Sequence, residues 1–334
     1  MVEQRQDDQG FLHGLLISQP NMSNNQNKRV TIGDAEKYIG ASVVISDVKP
    51  IDPSLYRADE SLNQSFIKKA LEHGLNTARK MVEEQDEPTD DMLIGSAFHA
   101  IMSGKPEIID SFIKVPKVDR RTKEGKAMFA SFASLAAEGK TIIGENLWEQ
   151  AESLTAGARR VIESSLELGS GKMITEVPLK GTAKAEFKMP ENYDGYYAPE
   201  DKQGWDDVVT ITKTVKGQID ALFVPDDVNA PIVVIDYKTA PSSTLGKVIK
   251  KSRDDNWRLQ AALYSDLAAA YYKRSAMVMY VVVGKDTGAP RAYLMSQKSL
   301  SDGRDVLANG IIRIASQAIH KDMTDDEYFG ITIL

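Results

Sequence analysis

The stretch GQIDALFVPDDVNAPIVVIDYKT, at residues 217–239, decides the fold class of the chain. Apolar and β-branched residues fill both of its arms, and the PDDVN segment at residues 225–229 between them consists mostly of turn formers. The stretch therefore predicts a β-hairpin. Its second arm begins with four consecutive β-branched residues at positions 232–235, which is typical of a strand that is buried on both faces of a sheet.

The register of this hairpin predicts where its charged residues lie. If Val224 lies opposite Ile232, antiparallel counting places Asp220 opposite Asp236, and directly opposed residues have Cβ atoms roughly 5 Å apart. Asp236 and Lys238 are two positions apart in one strand and therefore share a face of the sheet. The sequence thus predicts two carboxylates and an ammonium group at one end of the hairpin.

Such an arrangement suits phosphodiester hydrolysis with a bound divalent cation. Two close carboxylates repel each other unless a cation lies between them, and Mg²⁺ prefers oxygen ligands and keeps some of its water. Lys238 would then hold the metal-activated water and favour its deprotonation. A strand-end ion pair between Lys238 and Asp236 explains the same spacing, because acid–any residue–Lys triplets such as Glu186-Phe-Lys188 recur along the chain. Both interpretations stay open at this point.

Composition excludes several kinds of function. The chain has 334 residues and a net charge of −7, which argues against a non-specific coat protein for nucleic acid but allows a local basic groove. The absence of cysteine excludes disulfides and thiolate metal sites, and it fits a reducing interior. The sequence shows no run of 18 apolar residues and no signal peptide, so we expect no membrane span.

The chain divides into a polar leader and one α/β domain. Residues 1–45 are rich in Gln, Asn, Ser and Asp, which predicts a flexible leader, and residues 46–334 form the predicted domain. Helical spacing predicts helices at residues 65–82, 90–102, 127–168, 255–273 and 303–320. Short β-type runs predict strands at residues 173–177, 182–189, 208–215, 217–224, 232–238, 277–283 and 292–295. This order indicates a central sheet with helices and a helical front half.

Polar side chains on two predicted helices are further candidates for the site. Gln260 and Tyr264 share a helix face, where Gln260 could contact a phosphate or hold Lys238, although a plain surface pair has the same spacing. His99 lies just off the apolar stripe of its helix, beside small residues, and a neutral imidazole there could bind a metal ion. A lone helix histidine is more often a satisfied core residue, so its role stays open.

Five segments taken together resemble the RecE-type exonuclease (exonuclease VIII) family of the PD-(D/E)XK nuclease superfamily. They are GSAFHA at residues 95–100, PKVDRRTKEGK at 116–126, G-x-I-D at 217–220, IDYKT at 235–239 and Q-x-x-x-Y at 260–264. The segments follow the order found in the family, and the combination is far more specific than any one of them. The resemblance implies a PD-(D/E)XK core, an α/β fold in which a mixed central sheet is flanked by helices.

The resemblance also implies an activity. Enzymes of that family degrade linear double-stranded DNA from 5′ ends in a Mg²⁺-dependent reaction, for which Mn²⁺ is an alternative ion. They leave 3′ single strands for a partner annealing protein in DNA recombination. They tend to form rings that encircle DNA, and many are encoded by phages or prophages. We therefore expect a homo-oligomeric exonuclease that acts in the cytoplasm of a bacterial cell.

Roles for individual residues follow from the same resemblance. It implies that the metal is bound by His99, Asp220, Asp236 and the backbone carbonyl of Tyr237. It implies that Lys238 assists the nucleophilic water and that Gln260 and Tyr264 form a motif beyond the core.

One part of the chain departs from the family pattern. Residues 180–213 look longer than the usual link between the strand that carries Glu176 and the G-x-I-D strand, so we interpret them as an insertion. Glu176 is the expected acidic residue for a second metal or for orienting the site. An exposed strand glutamate would give the same pattern, and the two interpretations have equal weight.

Two local basic clusters are candidates for DNA contact. The first contains Lys117, Arg120, Arg121, Lys123 and Lys126, and the second contains Lys247, Lys250, Lys251, Arg253 and Arg258. Contacts of this kind with phosphates are independent of sequence and sensitive to salt. A solvated charged face is the simpler interpretation of any such run, but both clusters flank the proposed site, which favours DNA contact.

Alternatives to the exonuclease remain open. One is a glycosidase that acts through Glu176 and Asp220, which would need neither a metal nor Lys238. Another is a non-catalytic DNA-binding or assembly protein on a nuclease fold, and a third is an endonuclease of the same superfamily. The intact set of Asp220, Asp236 and Lys238 argues against a protein without activity.

Overall fold

The computed structural model describes residues 40–84, 88–116, 122–125, 127, 131–132, 139–165, 170–188 and 208–319. The strands are β1 (Ser42–Pro50), β2 (Phe112–Val115), β3 (Thr141–Gly144), β4 (Gly171–Lys188), β5 (Val208–Pro225), β6 (Ile232–Ala240), β7 (Ala276–Gly284) and β8 (Pro290–Leu294). The helices are α1 (Gln64–His73), α2 (Leu75–Glu83), α3 (Asp90–Ser103), α4 (Pro106–Ile109), α5 (Glu145–Ser165), α6 (Leu245–Asp254), α7 (Trp257–Tyr272) and α8 (Gln297–Ile319).

A mixed six-stranded sheet forms the centre of the domain, in the order β1-β4-β5-β6-β7-β8. Strands β6 and β7 are parallel and are joined by a crossover through α6 and α7, whereas the other neighbouring strands in this sheet are antiparallel. A first core lies between one face of the sheet and helices α1, α2, α6, α7 and α8. A second core lies between the other face and helices α3 and α5. The predicted fold class, a mixed sheet with flanking helices, is confirmed.

Strands β4 and β5 form one long hairpin, whereas the sequence predicted four short strands in these regions. The two strands pair without interruption of register from Gly171 and Pro225 to Lys188 and Val208. Gly181, which lies between two of the predicted strands, allows a close approach of β4 to β1, because a Cβ atom there would lie 2.9 Å from the backbone oxygen of Ser46. The predicted insertion at residues 180–213 therefore consists, where described, of the outer arms of this hairpin. Residues 189–207 lie outside the described residues.

Strand β1 corrects the predicted boundary of the leader. It begins at Ser42 and pairs with the outer part of β4, so the last residues of the predicted leader belong to the sheet. Val43 and Ile45 are buried in the first core, which explains why this segment folds onto the sheet despite its polar neighbours. Residues 1–39 of the predicted leader lie outside the described residues.

The helical front half is also more divided than its spacing predicted. Gly74 adopts a φ of 84° and separates α1 from α2, so the predicted helix at residues 65–82 is two helices. Residues 141–144 form strand β3 of a small parallel sheet with β2, although the sequence predicted one helix at residues 127–168. Helix α6 was not predicted. No helix of the described part of the chain is long and apolar enough to cross a membrane.

Candidate active site at a fork between two strands

The pairing of β5 with β6 has the predicted register. Ala221 lies opposite Ile235, and Leu222 lies opposite Val234. The paired ladder ends at Ala221 and Ile235, where β5 continues beside β4 and β6 continues beside β7. The two strands thus form a fork, and Asp220 is the first residue beyond the ladder on β5, as Asp236 is on β6.

At the fork, backbone groups of β6 lose their hydrogen-bond partners on β5, and a side chain takes the place of one of these partners. The backbone N–H of Tyr237 donates to Asp220 Oδ2 over 2.8 Å, in place of a ladder partner on β5. The alternation of faces also breaks at Asp220, because Ile219 and Leu222 both pack in the first core while Ala221 packs in the second. The Asp220 side chain is 14% exposed. It is therefore accessible from both helical layers.

Helix α3 brings His99 to the fork from the second layer. Thr89 caps this helix by accepting a hydrogen bond from the Met92 N–H over 3.3 Å. His99 Nδ1 lies 3.3 Å from Asp220 Oδ1, and the imidazole packs edge-on against the Tyr237 ring. Burial alone lowers the pKa of His99, but the Asp220 carboxylate outweighs it, so the pKa lies above its ordinary value. His99 is thus a charge partner of Asp220 rather than a core residue.

Asp236 is the most buried charged group of the fork. Asp236 is 1% exposed, and neither of its carboxylate oxygens accepts a hydrogen bond from the residues that the structure describes. Lys238 Nζ lies 2.5 Å from Asp236 Oδ1, but its direction does not meet hydrogen-bond geometry. Burial raises the pKa of Asp236 to about 6, and the nearby Asp220 charge adds to this, whereas Lys238 opposes it. A buried acid without hydrogen bonds is rare, and it indicates a group that another ligand satisfies.

Helix α7 holds Lys238 from the first layer. Lys238 Nζ donates to Gln260 Oε1 over 2.9 Å, and the ammonium group lies 5.8 Å from the ring centres of both Trp257 and Tyr280. These contacts fix a long side chain that would otherwise be mobile. Of the two predicted interpretations of Gln260, this geometry agrees with a contact to Lys238.

Tyr264 completes this side of the site, since it lies on α7 one helical turn after Gln260. Burial raises the pKa of Tyr264 well above its usual value, so the phenol stays protonated. The ring packs directly on β5 at Gly217, where a Cβ atom would lie 2.7 Å from the Tyr264 ring. The glycine of the G-x-I-D segment is therefore explained by a close approach between strand and helix.

Glu176 reaches the fork from β4. Its backbone has a φ of 50°, a left-handed conformation that is strained for a residue other than glycine. The Glu176 carboxylate accepts a hydrogen bond from the Gln218 side chain, and its backbone oxygen accepts one from Lys105 Nζ over 3.3 Å. Burial and the Asp220 charge raise the pKa of Glu176. The side chain is thus half-buried beside Asp220, in contrast to the alternative of an exposed strand residue.

A family model described as the PD-(D/E)XK nuclease superfamily matches residues 65–326. The chain belongs to the PD-(D/E)XK nuclease superfamily. Among solved structures, it is similar to the crystal structure of a protein from Eubacterium rectale that is provisionally named an exonuclease. The two are 14% identical, with a TM-score of 0.46, and the match covers 80% of this chain and 88% of that one. No curated protein sequence matches the chain significantly.

PD-(D/E)XK nucleases generally use divalent ions such as Mg²⁺, and the donor groups at the fork fit such an ion. The described residues contain no cluster of three or more acidic or histidine side chains that is already arranged around a common point. Mg²⁺ does not need one, because it is usually bound by one or two carboxylates and retains water. Asp220 and the unsatisfied oxygens of Asp236 meet that requirement. His99 Nδ1 lies 3.3 Å from Asp220 Oδ1, and Lys238 Nζ lies 2.5 Å from Asp236 Oδ1.

The structure describes one residue of the first basic cluster and all five residues of the second. In the first, only Lys123 is among the described residues, and it is exposed, while Lys117, Arg120, Arg121 and Lys126 lie outside them. In the second, which lies on and after α6, Lys250 and Lys251 form ion pairs with Asp254 and Asp255 at 2.6 and 2.7 Å. Lys247 and Arg253 are exposed, and Arg258 donates to Asn256 over 3.2 Å.

Several residues of this nuclease site were missed from the sequence. Trp257 and Tyr280 support the Lys238 ammonium, and Gln218 holds the Glu176 carboxylate. Trp257 could have been found, because it lies three residues before Gln260 and so shares a face of the same helix. Tyr280 is on the parallel neighbour of β6, directly beside Asp236. That pairing joins segments far apart in the chain, and no local pattern indicates it.

Proposed function

We propose that this chain is a Mg²⁺-dependent exodeoxyribonuclease that acts on linear double-stranded DNA. The observation that carries the proposal is the fork, where a buried Asp236 without hydrogen bonds, Asp220 and the ordered ammonium of Lys238 come together. Membership of the nuclease superfamily favours this activity over the glycosidase alternative.

Each residue at the fork has a distinct role in the proposed reaction. Asp220 and Asp236 would hold the ion, with His99 and the Tyr237 carbonyl as further ligands. A bound Mg²⁺ supplies an activated water and stabilises charge on the phosphate oxygens. Lys238, held by Gln260, positions an ammonium group where it can orient that water and the scissile phosphate. Gln260 keeps Lys238 in place, Tyr264 packs against β5 one turn further along α7, and Glu176 adds negative charge beside Asp220.

The exonuclease class and its direction are supported by the resemblance of the five sequence segments to the RecE-type family. On that basis the enzyme degrades 5′ ends and leaves 3′ single strands for an annealing partner in recombination, with Mn²⁺ able to replace Mg²⁺. The same resemblance supports a ring-shaped homo-oligomer, a phage or prophage origin and action in the bacterial cytoplasm. It also supports a single nuclease domain at residues 46–334, to which β1 adds Ser42 and the residues after it.

Incubation of linear plasmid with the protein tests the proposal directly. We expect degradation with Mg²⁺ or Mn²⁺, none with EDTA and none with Asp236→Ala. Covalently closed circular plasmid is the matched substrate, and it should stay intact because an exonuclease needs an end. Degradation of the circle would instead assign an endonuclease. Duplexes that carry a label on one end of one strand at a time then give the direction, and release of 3′-terminal nucleotides first would contradict the proposed 5′-to-3′ polarity.

A further inference from the structure

A groove leads away from the fork on the side of the first layer. It has a volume of about 430 Å³ and is lined by Lys238 and Gln260 at its inner end and by residues of α1 along its wall. This volume is within the range of sites that hold small molecules, roughly 300–1,000 Å³. The sequence assigned no role to α1, so the groove is a binding surface that the motifs did not predict.

Helix α1 contributes two cationic side chains to the groove, Lys68 and Lys69, beside the acid Glu72. Its other lining residues are Gln64, Ser65 and His73. Lys69 Nζ donates to the Met81 carbonyl over 3.1 Å, a bond that leaves its charge uncompensated. Lys68 lies 3.8 Å from Glu72, which is a long ion pair at a partly exposed position. Such pairs contribute little to stability and are readily exchanged for a stronger anion.

The opposite wall of the groove adds little that would recognise a base. Trp257 is buried beneath Lys238, so it offers no free face for stacking. Asp255 is already paired with Lys251 at 2.7 Å. The lining therefore holds three ammonium groups, those of Lys68, Lys69 and Lys238, and two carboxylates, those of Glu72 and Asp255. Ammonium groups suit phosphates, and such contacts carry no sequence information.

We infer that this groove binds the phosphodiester backbone of the DNA strand that enters the active site, with Lys68 and Lys69 contacting phosphates next to the scissile one. This inference rests on the proposed nuclease function and names a substrate subsite for it. A strand held in the groove reaches Lys238 and Gln260 without crossing another wall, since these two residues belong to both the groove and the fork. Glu72 is then an internal competitor that the DNA backbone displaces.

Equilibrium binding separates this inference from catalysis. The Kd of a short, labelled, blunt DNA duplex is measured by fluorescence anisotropy in EDTA over a series of salt concentrations. For Lys68→Gln combined with Lys69→Gln, we expect binding weaker by roughly 10-fold or more, and a slope of log K against log salt that is shallower by about two. For Glu72→Gln, we expect tighter binding, a result that a folding defect would not produce.

Lys298→Gln is the matched control, because Lys298 is also a helical lysine in an i, i+4 pair, with Asp302 at 2.9 Å, but does not line the groove. It should bind DNA like the unmodified protein. A double Lys68 and Lys69 variant with an unchanged Kd and salt slope would overturn the inference, as would a Glu72→Gln protein that binds no more tightly. If the variants shift binding as expected but the unmodified protein cleaves no DNA with Mg²⁺ or Mn²⁺, the proposed function fails while the groove assignment stands.

Discussion

The hairpin of β5 and β6 has two halves of opposite character. In the paired half, Leu222 faces Val234, and both are fully buried in the first core. In the forked half, the same two strands carry Asp220 and Asp236 instead, and they no longer pair with each other. Apolar burial and backbone pairing between the strands stabilise the first half. Buried charges with incomplete hydrogen bonding destabilise the second.

This difference indicates which part of the hairpin stabilises the site. The turn that joins the strands is held by Arg274, whose guanidinium donates to the carbonyls of Pro225 and Ala230 over 3.0 and 3.1 Å. The paired half therefore supplies a rigid base that holds Asp236 in its buried position, although burial of its charge is unfavourable. Function and stability are separated along one hairpin, and substitutions in the two halves should separate them in experiments.

The largest expected effect is on activity, from Asp236→Asn in the forked half. This change keeps the shape of the side chain but removes the negative charge, and we expect cleavage to fall by roughly 10³-fold, the scale of losing one preorganised electrostatic contact. Thermal melting in EDTA at neutral pH should show a Tm equal to or above that of the unmodified protein, because a buried charge is removed. A clear fall in Tm would contradict the separation. Asp302→Asn on α8 is the surface control for both readouts.

The complementary change is Leu222→Ala in the paired half. Leu222 is fully buried, so the truncation should lower the free energy of unfolding by about 2–5 kcal/mol. Urea unfolding measures this loss, and Val228→Ala in the exposed turn serves as its control. At low temperature, where the folded form persists, cleavage per folded molecule should stay within a few-fold of normal. A loss as large as that of Asp236→Asn would show that the two halves are not separable.

The pH dependence of stability should also differ between the halves. Burial raises the pKa of Asp236 from 3.8 to about 6 in the folded protein. At a pH between these two values, the Asp236 carboxyl is protonated in the folded state and ionised in the unfolded chain. The stabilisation from that proton is present at acidic pH and disappears as pH rises through about 6, a change of roughly 3 kcal/mol. Of this change, about 2 kcal/mol lies between pH 4.5 and 7.5, and urea unfolding in EDTA over that range should show it in the unmodified protein relative to Asp236→Asn. Parallel profiles for the two proteins would contradict it.

The sequence predicted the inner part of this hairpin because each local signal agreed with the next. The turn formers at residues 225–229, the β-branched run before Asp236 and the two-residue spacing to Lys238 fixed the register of β5 and β6. The apolar spacing that predicted a helix from residue 90 gave the start of α3 in the same way. Where turn chemistry and periodicity were consistent, the fold followed from them.

The sequence could not indicate the features that depend on distant pairing. Strand β1 lies beside β4, more than a hundred residues away, and its polar surroundings resemble those of a leader. The role of Gly181 was also hidden, because a glycine serves a close approach between strands as readily as a turn, and the approach to β1 depends on distant pairing. The supports of Lys238 were equally hidden, since Tyr280 becomes its neighbour only through the parallel pairing of β6 and β7. A cation–aromatic contact of this kind has no characteristic spacing between its two residues along the sequence.

The smallest expected effect concerns the third strand of the fork, at Glu176. Its φ of 50° is unfavourable for a residue with a Cβ atom, and the left-handed conformation is disfavoured by about 1–2 kcal/mol. Glu176→Gly should therefore be more stable to urea than Glu176→Gln by about 1 kcal/mol, after the greater freedom of glycine in the unfolded chain is included. Both variants lack the carboxylate beside Asp220, so both should lose activity to a similar extent. Equal stabilities would mean that β4 carries no strain here, whereas full activity in either variant would remove Glu176 from the site. If only the glycine variant is inactive, the side chain acts through its hydrogen bond with Gln218 rather than through its charge.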